Sequence, residues 1–320
     1  MDATPLPPAL RGDKRSLSRE AAAEIQALNG ARPIAFTFQL IYAWGVIAAA
    51  IAAALYLDQA WATILAIVII ATRHNVLGLL VHEQTHLLGY RGRFGDLIVN
   101  LFAGYPLLVL TVENYAQVHL AHHRDYFGDR DPDFIRKSGP EWSFPKSKRE
   151  LLSIFLSDLV GINTIRLIRG KRVAVDNSAF VRRYRTPSWV RPLYFVVLAT
   201  VLTYMGWWTV YIIYWLLPLM TISQVIVRWG AICEHIYNLP GATVVESTPL
   251  IILSWWERLI LPNLNFAMHS YHHYFPGVSF ICLPKVHEIF VREGLVDSDN
   301  VFYGYGSYFK YITQSDHIDR

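Results

Sequence analysis

Residues 34–57, IAFTFQLIYAWGVIAAAIAAALYL, run for 24 positions without a charged side chain. About 20 mostly apolar residues let a helix cross the hydrocarbon of a bilayer, so this stretch reads as a first membrane span. Only Asp58 and Gln59 separate it from a second apolar run, Ala60 to Val81, which Arg73, His74 and Asn75 interrupt near its far end. So tight a link implies a hairpin that returns to the starting side. Further on, Pro192 to Val227 is 36 residues without a charge, too long for one crossing. With Met205-Gly206 as the turn it divides into two short spans, roughly 188–204 and 207–227.

Composition agrees: 53% of the 320 residues are apolar and the mean hydropathy is +0.27, the profile of a polytopic membrane protein. The expected fold is an all-α integral membrane protein with four transmembrane helices, interfacial helices and a cytoplasmic helical cap. Residues 124–191 carry 15 Lys and Arg, and Arg11, Lys14, Arg15, Arg19 and Arg32 precede the first span, whereas the opposite connections carry none. By the positive-inside rule the basic side is cytoplasmic. The net charge of +4 therefore reflects topology and membrane lipid headgroups, not nucleic acid. Some of these charges also suit docking of an acidic electron donor.

The chemistry-bearing residues lie on that side. His119-Leu-Ala-His122-His123 and His269-Ser-Tyr-His272-His273 are both HxxHH, and His82-Glu-Gln-Thr-His86 precedes them. With 12 His in the chain, about 0.02 such HxxHH matches are expected by chance. On a helix, positions i, i+3 and i+4 share a face, so each cluster aims its imidazoles one way. Eight imidazoles exceed the four ligands of a tetrahedral zinc, which makes two metals the simpler reading. Imidazole suits zinc, copper, iron and nickel alike, so the donors alone leave the metal open.

The run Leu97 to Val112 is long enough to suggest a fifth crossing, but that would part the first His cluster from the second. It is expected to enter the bilayer partway, or to lie in the interface. His235, just past the last apolar turn, is a candidate ninth ligand. His74 sits eight residues before His82, about 80° round a helix, and is a poor one. Asp125 and Glu234 are candidates to accept a metal-bound ring's other N–H; turn formation is the competing role for Asp125.

Residues 1–15 read as a loose tail, followed by a short interfacial helix, Arg19 to Asn29, capped by Ser18. Residues 1–33 thus form a cytoplasmic N-terminal unit and 34–320 the membrane-embedded catalytic domain. Glu141 to Tyr184 and the stretch around Trp255, Trp256 and Leu259 to Leu261 read as interfacial elements. The last 40 residues read as a cytoplasmic cap. Two cysteines, Cys233 and Cys282, cannot hold a four-thiolate cluster, and no disulfide framework is expected.

The box spacings, the two spans between the second and third boxes, Asp131-Pro132-Asp133, and the string Asn265 … His272-His273-Tyr-Phe-Pro276 … Leu283-Pro284-Lys-Val-His287 resemble the membrane fatty acid desaturase and hydroxylase superfamily. The resemblance runs from about residue 60 to 290. It implies a di-iron centre held by eight or nine His, with His235 similar in position to the family's extra ligand. O2 is then the co-substrate, and the oxidant removes hydrogen from an unactivated C–H bond. Loss of a second hydrogen gives an alkene; rebound of oxygen gives an alcohol.

Two positions depart from the pattern. Ala231 stands where an Asn often holds a metal-bound water, a role Asn265 is a candidate to take over, and Tyr271 stands where acyl-lipid enzymes carry Glu. The expected activity is that of a desaturase on an acyl chain or other apolar substrate, with a hydroxylase, monooxygenase or ketolase as the alternative. No cytochrome b5 segment, GxGxxG motif or Cys cluster is apparent, so electrons are expected from a separate ferredoxin or cytochrome b5 type donor with its reductase. Two rivals compete. His82-Glu83-Gln84-Thr85-His86 is also a literal HExxH, the signature of a zinc protease, and a divalent-metal transporter would also use His. The first leaves both HxxHH clusters unexplained, and the second expects sites near the bilayer midplane.

Overall fold

The computed structural model describes residues 6–92, 94–169 and 185–313. Helices dominate it. Pro33–Leu57, Ala60–Thr85 and Trp208–Glu234 are each long and apolar enough to cross a membrane. Val190–Met205, apolar but only 16 residues long, precedes the last of these and ends at Gly206 in the left-handed region (φ 68°). The hairpin between the first two turns at Asp58, also left-handed (φ 48°).

Helix Ala60–Thr85 is the axis of the molecule: 56% of its most apolar window is buried, against 22% for Pro33–Leu57 and 28% for Trp208–Glu234. Phe36, Leu40, Ala43 and Ile47 recur at helical spacing and pack on Ala66, Ile70 and Leu77. Alanines on both helices let the backbones approach. The opposite faces leave Ile34, Phe38, Ile41, Trp61, Ile64 and Leu65 exposed, as lipid-facing side chains would be.

After the first His box the chain enters Gly95–Leu107, then doubles back through a 91° bend into Val112–Asp125. The bend is pinned by Asn100, whose side chain accepts from Val112 N (2.8 Å) and donates to Glu113 (2.8 Å). A straight crossing would carry the second box to the other face; the bend returns it to the first.

The capping layer is built on Leu283–Arg292 and Tyr305–Thr313, joined by a two-residue parallel pairing of Ile251–Ile252 with Phe302–Tyr303. Here the structure corrects the tail. Leu6, Ala9 and Leu10 are buried, and Arg11 N and Ala9 O pair with Leu295 O and Asp297 N, so residues 6–11 are stitched into the cap. Helix Arg19–Leu28 is capped by the Ser18 side chain. Its Glu24 meets Arg292 at 2.6 Å, and it packs on protein through Ala21 and Ile25.

The amphipathic region after Glu141 resolves into Lys148–Leu159 and Ile162–Arg169, with Leu152, Leu156 and Ile165 exposed; positions 170–184 of that reading lie outside the described residues. Trp255–Ile260 likewise exposes Trp255, Trp256, Leu259 and Ile260.

Candidate metal centre

Each box is positioned by a different local device. His82 and His86 occupy the last turn and C-cap of Ala60–Thr85. Beyond them the chain turns through Leu87 (φ 59°), and Gln84 clamps the turn: it donates to Tyr90 O (2.9 Å) and Asp96 (2.8 Å) and accepts from Tyr90 N (2.9 Å). His119, His122 and His123 ride on Val112–Asp125, started by Thr111, whose hydroxyl accepts from Asn114 N. The third box forms the short helix His269–Tyr274, entered through Asn265 in the left-handed region (φ 61°) and a 3-10 turn, Phe266–Met268. His235 follows the last turn of Trp208–Glu234 on extended backbone.

From these four stretches the nitrogens converge as two groups. His82, His86, His119 and His272 place one ligand atom each within 4.8 Å of one another, and so do His122, His235 and His273. In the first group His119 Nε2 lies 2.9 Å from His86 Nε2 and 3.4 Å from His272 Nε2. His123 Nε2 adjoins it, 3.0 Å from His119 and 3.1 Å from His272. In the second, His235 Nε2 is 3.2 Å from His122 Nε2 and 3.1 Å from His273 Nε2. The His269 ring lies 4.7 Å from His235 and 4.8 Å from His273.

Neutral imidazole has one donor and one acceptor, so three or four Nε2 atoms facing a common point cannot satisfy each other by hydrogen bonding. Among the described residues His82 has neither ring nitrogen in a hydrogen bond, and His269 Nδ1 has no partner either, though both residues are buried. Cations at the two foci resolve the conflict, and the donor set therefore fits a pair of imidazole-bound metals. Burial, with neighbouring imidazoles adding to it, holds His235, His269, His272 and His273 well below the ordinary imidazole pKa, which keeps them in the neutral form a metal requires.

Two of the rings meet hydrogen-bonding partners through Nδ1. Asp131 Oδ2 meets His122 Nδ1 at 2.8 Å with both groups buried. The same carboxylate group accepts from Phe127 N, Asp133 N and Phe134 N, so it is rigidly held. His235 Nδ1 faces Thr248 Oγ1 (3.1 Å) and Tyr126 OH (3.3 Å), and that phenol is fixed by Ser247 and Thr248.

Asp125, in contrast, pairs with Arg124 (2.6 Å) and Arg130 (3.6 Å), and the Asn265 amide donates to Phe280 O (3.1 Å). Glu234 is partly buried beside His235, with no hydrogen bond to that ring among the described residues. The Asp131-Pro132-Asp133 string carried the signal for Asp131, whose side chain also caps Pro132–Arg136; nothing local pointed to Thr248, which reaches His235 only through the tertiary fold.

Two residues fall outside both groups. His74 Nδ1 meets Ser223 Oγ at 3.0 Å and its ring packs edge-on against Trp215 at 4.5 Å. Glu83 Oε1 accepts from Phe280 N (3.1 Å), which turns this carboxylate into the third-box loop and away from the role an HExxH protease gives it. Asp133, next to the cage support, is tied to Lys137 (2.9 Å), Arg136 (2.6 Å) and Tyr237 (2.6 Å). Burial raises its pKa, but these cations and the phenol outweigh burial and hold it well below the usual carboxylate range.

Helices apolar enough to cross a membrane, with His boxes that converge as adjacent nitrogen clusters able to hold metal, fit the class of multi-His membrane proteins. The Fatty acid desaturase family model matches residues 59–306, and the chain belongs to that family. It is also 25% identical over 261 residues to dihydrorhizobitoxine desaturase of Bradyrhizobium elkanii, a match that covers 78% of this chain and 73% of the relative. The protein is thus an oxidoreductase of the desaturase type.

Proposed function

We propose that this protein is an O2-dependent di-iron membrane oxidase that desaturates an acyl chain or other apolar substrate. One observation carries the reading: imidazoles from four separate stretches meet as two adjacent nitrogen cages at one end of the apolar helices. His82, His86, His119, His123 and His272 would hold one iron, and His122, His235, His269 and His273 the other. The bound irons would supply O2 activation and the removal of hydrogen from an unactivated C–H bond.

The chain's own residues have three tasks at this site. Asp131 fixes the orientation of His122, while Thr248 and Tyr126 fix His235. The burial that keeps the rings neutral also excludes water from the reacting carbon. The exposed apolar helix faces fit a substrate held in or beside the lipid. Four spans with the site on the basic, cytoplasmic side fit the loop charges, and the electrons come from a separate ferredoxin or cytochrome b5 type carrier with its reductase.

Metal analysis of the purified full chain should find about two irons, and expression with a compatible reductant should yield an alkene. One zinc per chain would instead support the HExxH reading and sink this one. An alcohol as sole product would move the protein to the hydroxylase branch.

A further inference from the structure

The second cage is linked to the surface by a short stack of aromatic rings. The Tyr237 ring centroid lies 5.7 Å from that of His235, and Trp142 lies 5.9 Å beyond Tyr237. Phe127 runs beside this line, stacked on Tyr237 at 5.4 Å and 12° and 5.6 Å from His235. Trp142 is half-buried, in a turn whose neighbours Glu141 and Ser143 are exposed. Two ring-to-ring steps therefore separate solvent from a cage imidazole, and no other part of the proposed reading uses them.

The charges around these rings are mixed, since Asp133 accepts from Tyr237 OH (2.6 Å) and pairs with Lys137 (2.9 Å). Lys137 Nζ sits 4.8 Å from the Tyr237 ring and 5.4 Å from Trp142, and the Arg228 guanidinium lies 4.5 Å over Trp142. Cations against a ring face are attracted to its electrons and make it harder to take an electron away. The rings shorten the gap that an electron must cross between the surface and the cage. The approach is basic too: between residues 133 and 150 stand Arg136, Lys137, Lys146, Lys148 and Arg149 against Asp133, Glu141 and Glu150, and Lys148 and Arg149 are exposed.

We propose that the surface around Trp142 is the electron port of this enzyme, where an acidic one-electron carrier protein docks and delivers electrons through Trp142 and Tyr237 to the His235 cage. The inference rests on the di-iron reading. Each delivery oxidises the carrier by one electron and reduces the metal centre by one, so two deliveries serve a turnover.

The test uses the full chain in nanodiscs, loaded with iron, and an acidic plant-type [2Fe–2S] ferredoxin as probe. Stopped-flow absorbance follows reduction of the iron by reduced ferredoxin and, separately, by dithionite with methyl viologen. Charge steering raises on-rates by roughly 10- to 1,000-fold and weakens with salt. The triple variant K146E/K148E/R149E should therefore slow ferredoxin-driven reduction at low salt by at least about tenfold and flatten its salt dependence. Its binding to the metal-free protein should weaken in parallel.

Trp142→Leu should slow reduction at saturating ferredoxin by about tenfold, and both variants should keep the wild-type iron content and viologen rate. Unchanged ferredoxin rates in both variants would overturn the port. So would a wild-type centre that accepts electrons from viologen and none from ferredoxin, or a viologen rate that falls together with the ferredoxin rate in Trp142→Leu. A chain that binds no iron pair at all would instead strike the di-iron reading, and metal analysis separates the two failures.

Discussion

The two cages are built from the same donor but stand differently in the protein. In the first, His82, His86 and His119 come from two long helices, and His82 has no hydrogen bond to either ring nitrogen. In the second, His122 leans on the buried Asp131 and His235 on Thr248 and Tyr126. The His82 ring is aimed by its helix; the second cage includes a ligand on extended backbone and braces two of its rings, His122 and His235, by hydrogen bonds. A ring that the backbone does not orient must be oriented by a hydrogen bond.

The strongest break of this contrast is removal of a ligand. His272→Ala should empty the first cage and His122→Ala the second, each abolishing turnover and lowering iron by about one per chain; elemental analysis beside product assay checks both. Normal turnover in either variant would remove that histidine from the site. Next, Asp131→Asn should weaken metal retention by roughly 10- to 100-fold in the second cage only, seen as one iron lost early in a graded chelator titration.

Thr248→Val should cost less, no more than about tenfold in the same titration, because Tyr126 still faces His235 Nδ1. If it matched Asp131→Asn, a carboxylate would be no better a brace than a hydroxyl. Smallest is His74→Phe, which lies outside both cages. It should leave iron content unchanged and cost about 1 kcal/mol of stability for the lost Ser223 bond, read as a lowered thermal midpoint.

Much of this was legible in the chain. The uncharged run at 34–57 and the apolar run at 60–81 marked the first two long helices, Met205-Gly206 marked the turn after Val190–Met205, and the HxxHH spacings marked rings sharing a helix face. The tail was misread because Leu6, Ala9 and Leu10 carry no periodic signal; Leu6 N pairs with Glu246 O, and Ala9 and Arg11 pair with the loop after Leu283–Arg292. Asp125 drew attention by adjacency to the second box, yet Asp131, six residues later, reaches His122 because the turn at Phe127 (φ 54°) brings the chain back. Asn265, a candidate to hold a metal-bound water, stands in the left-handed region and donates to Phe280 O.

Sequence by itself determined which residues belong in apolar surroundings and which imidazoles point together, because both follow from local chemistry and the period of one helix. Only the tertiary structure decided that the second box returns to the first across a 91° bend, that rings far apart in the chain share two foci, and that Asp131 and Thr248 brace them. Those outcomes depend on packing between distant segments, which no local pattern of residues encodes.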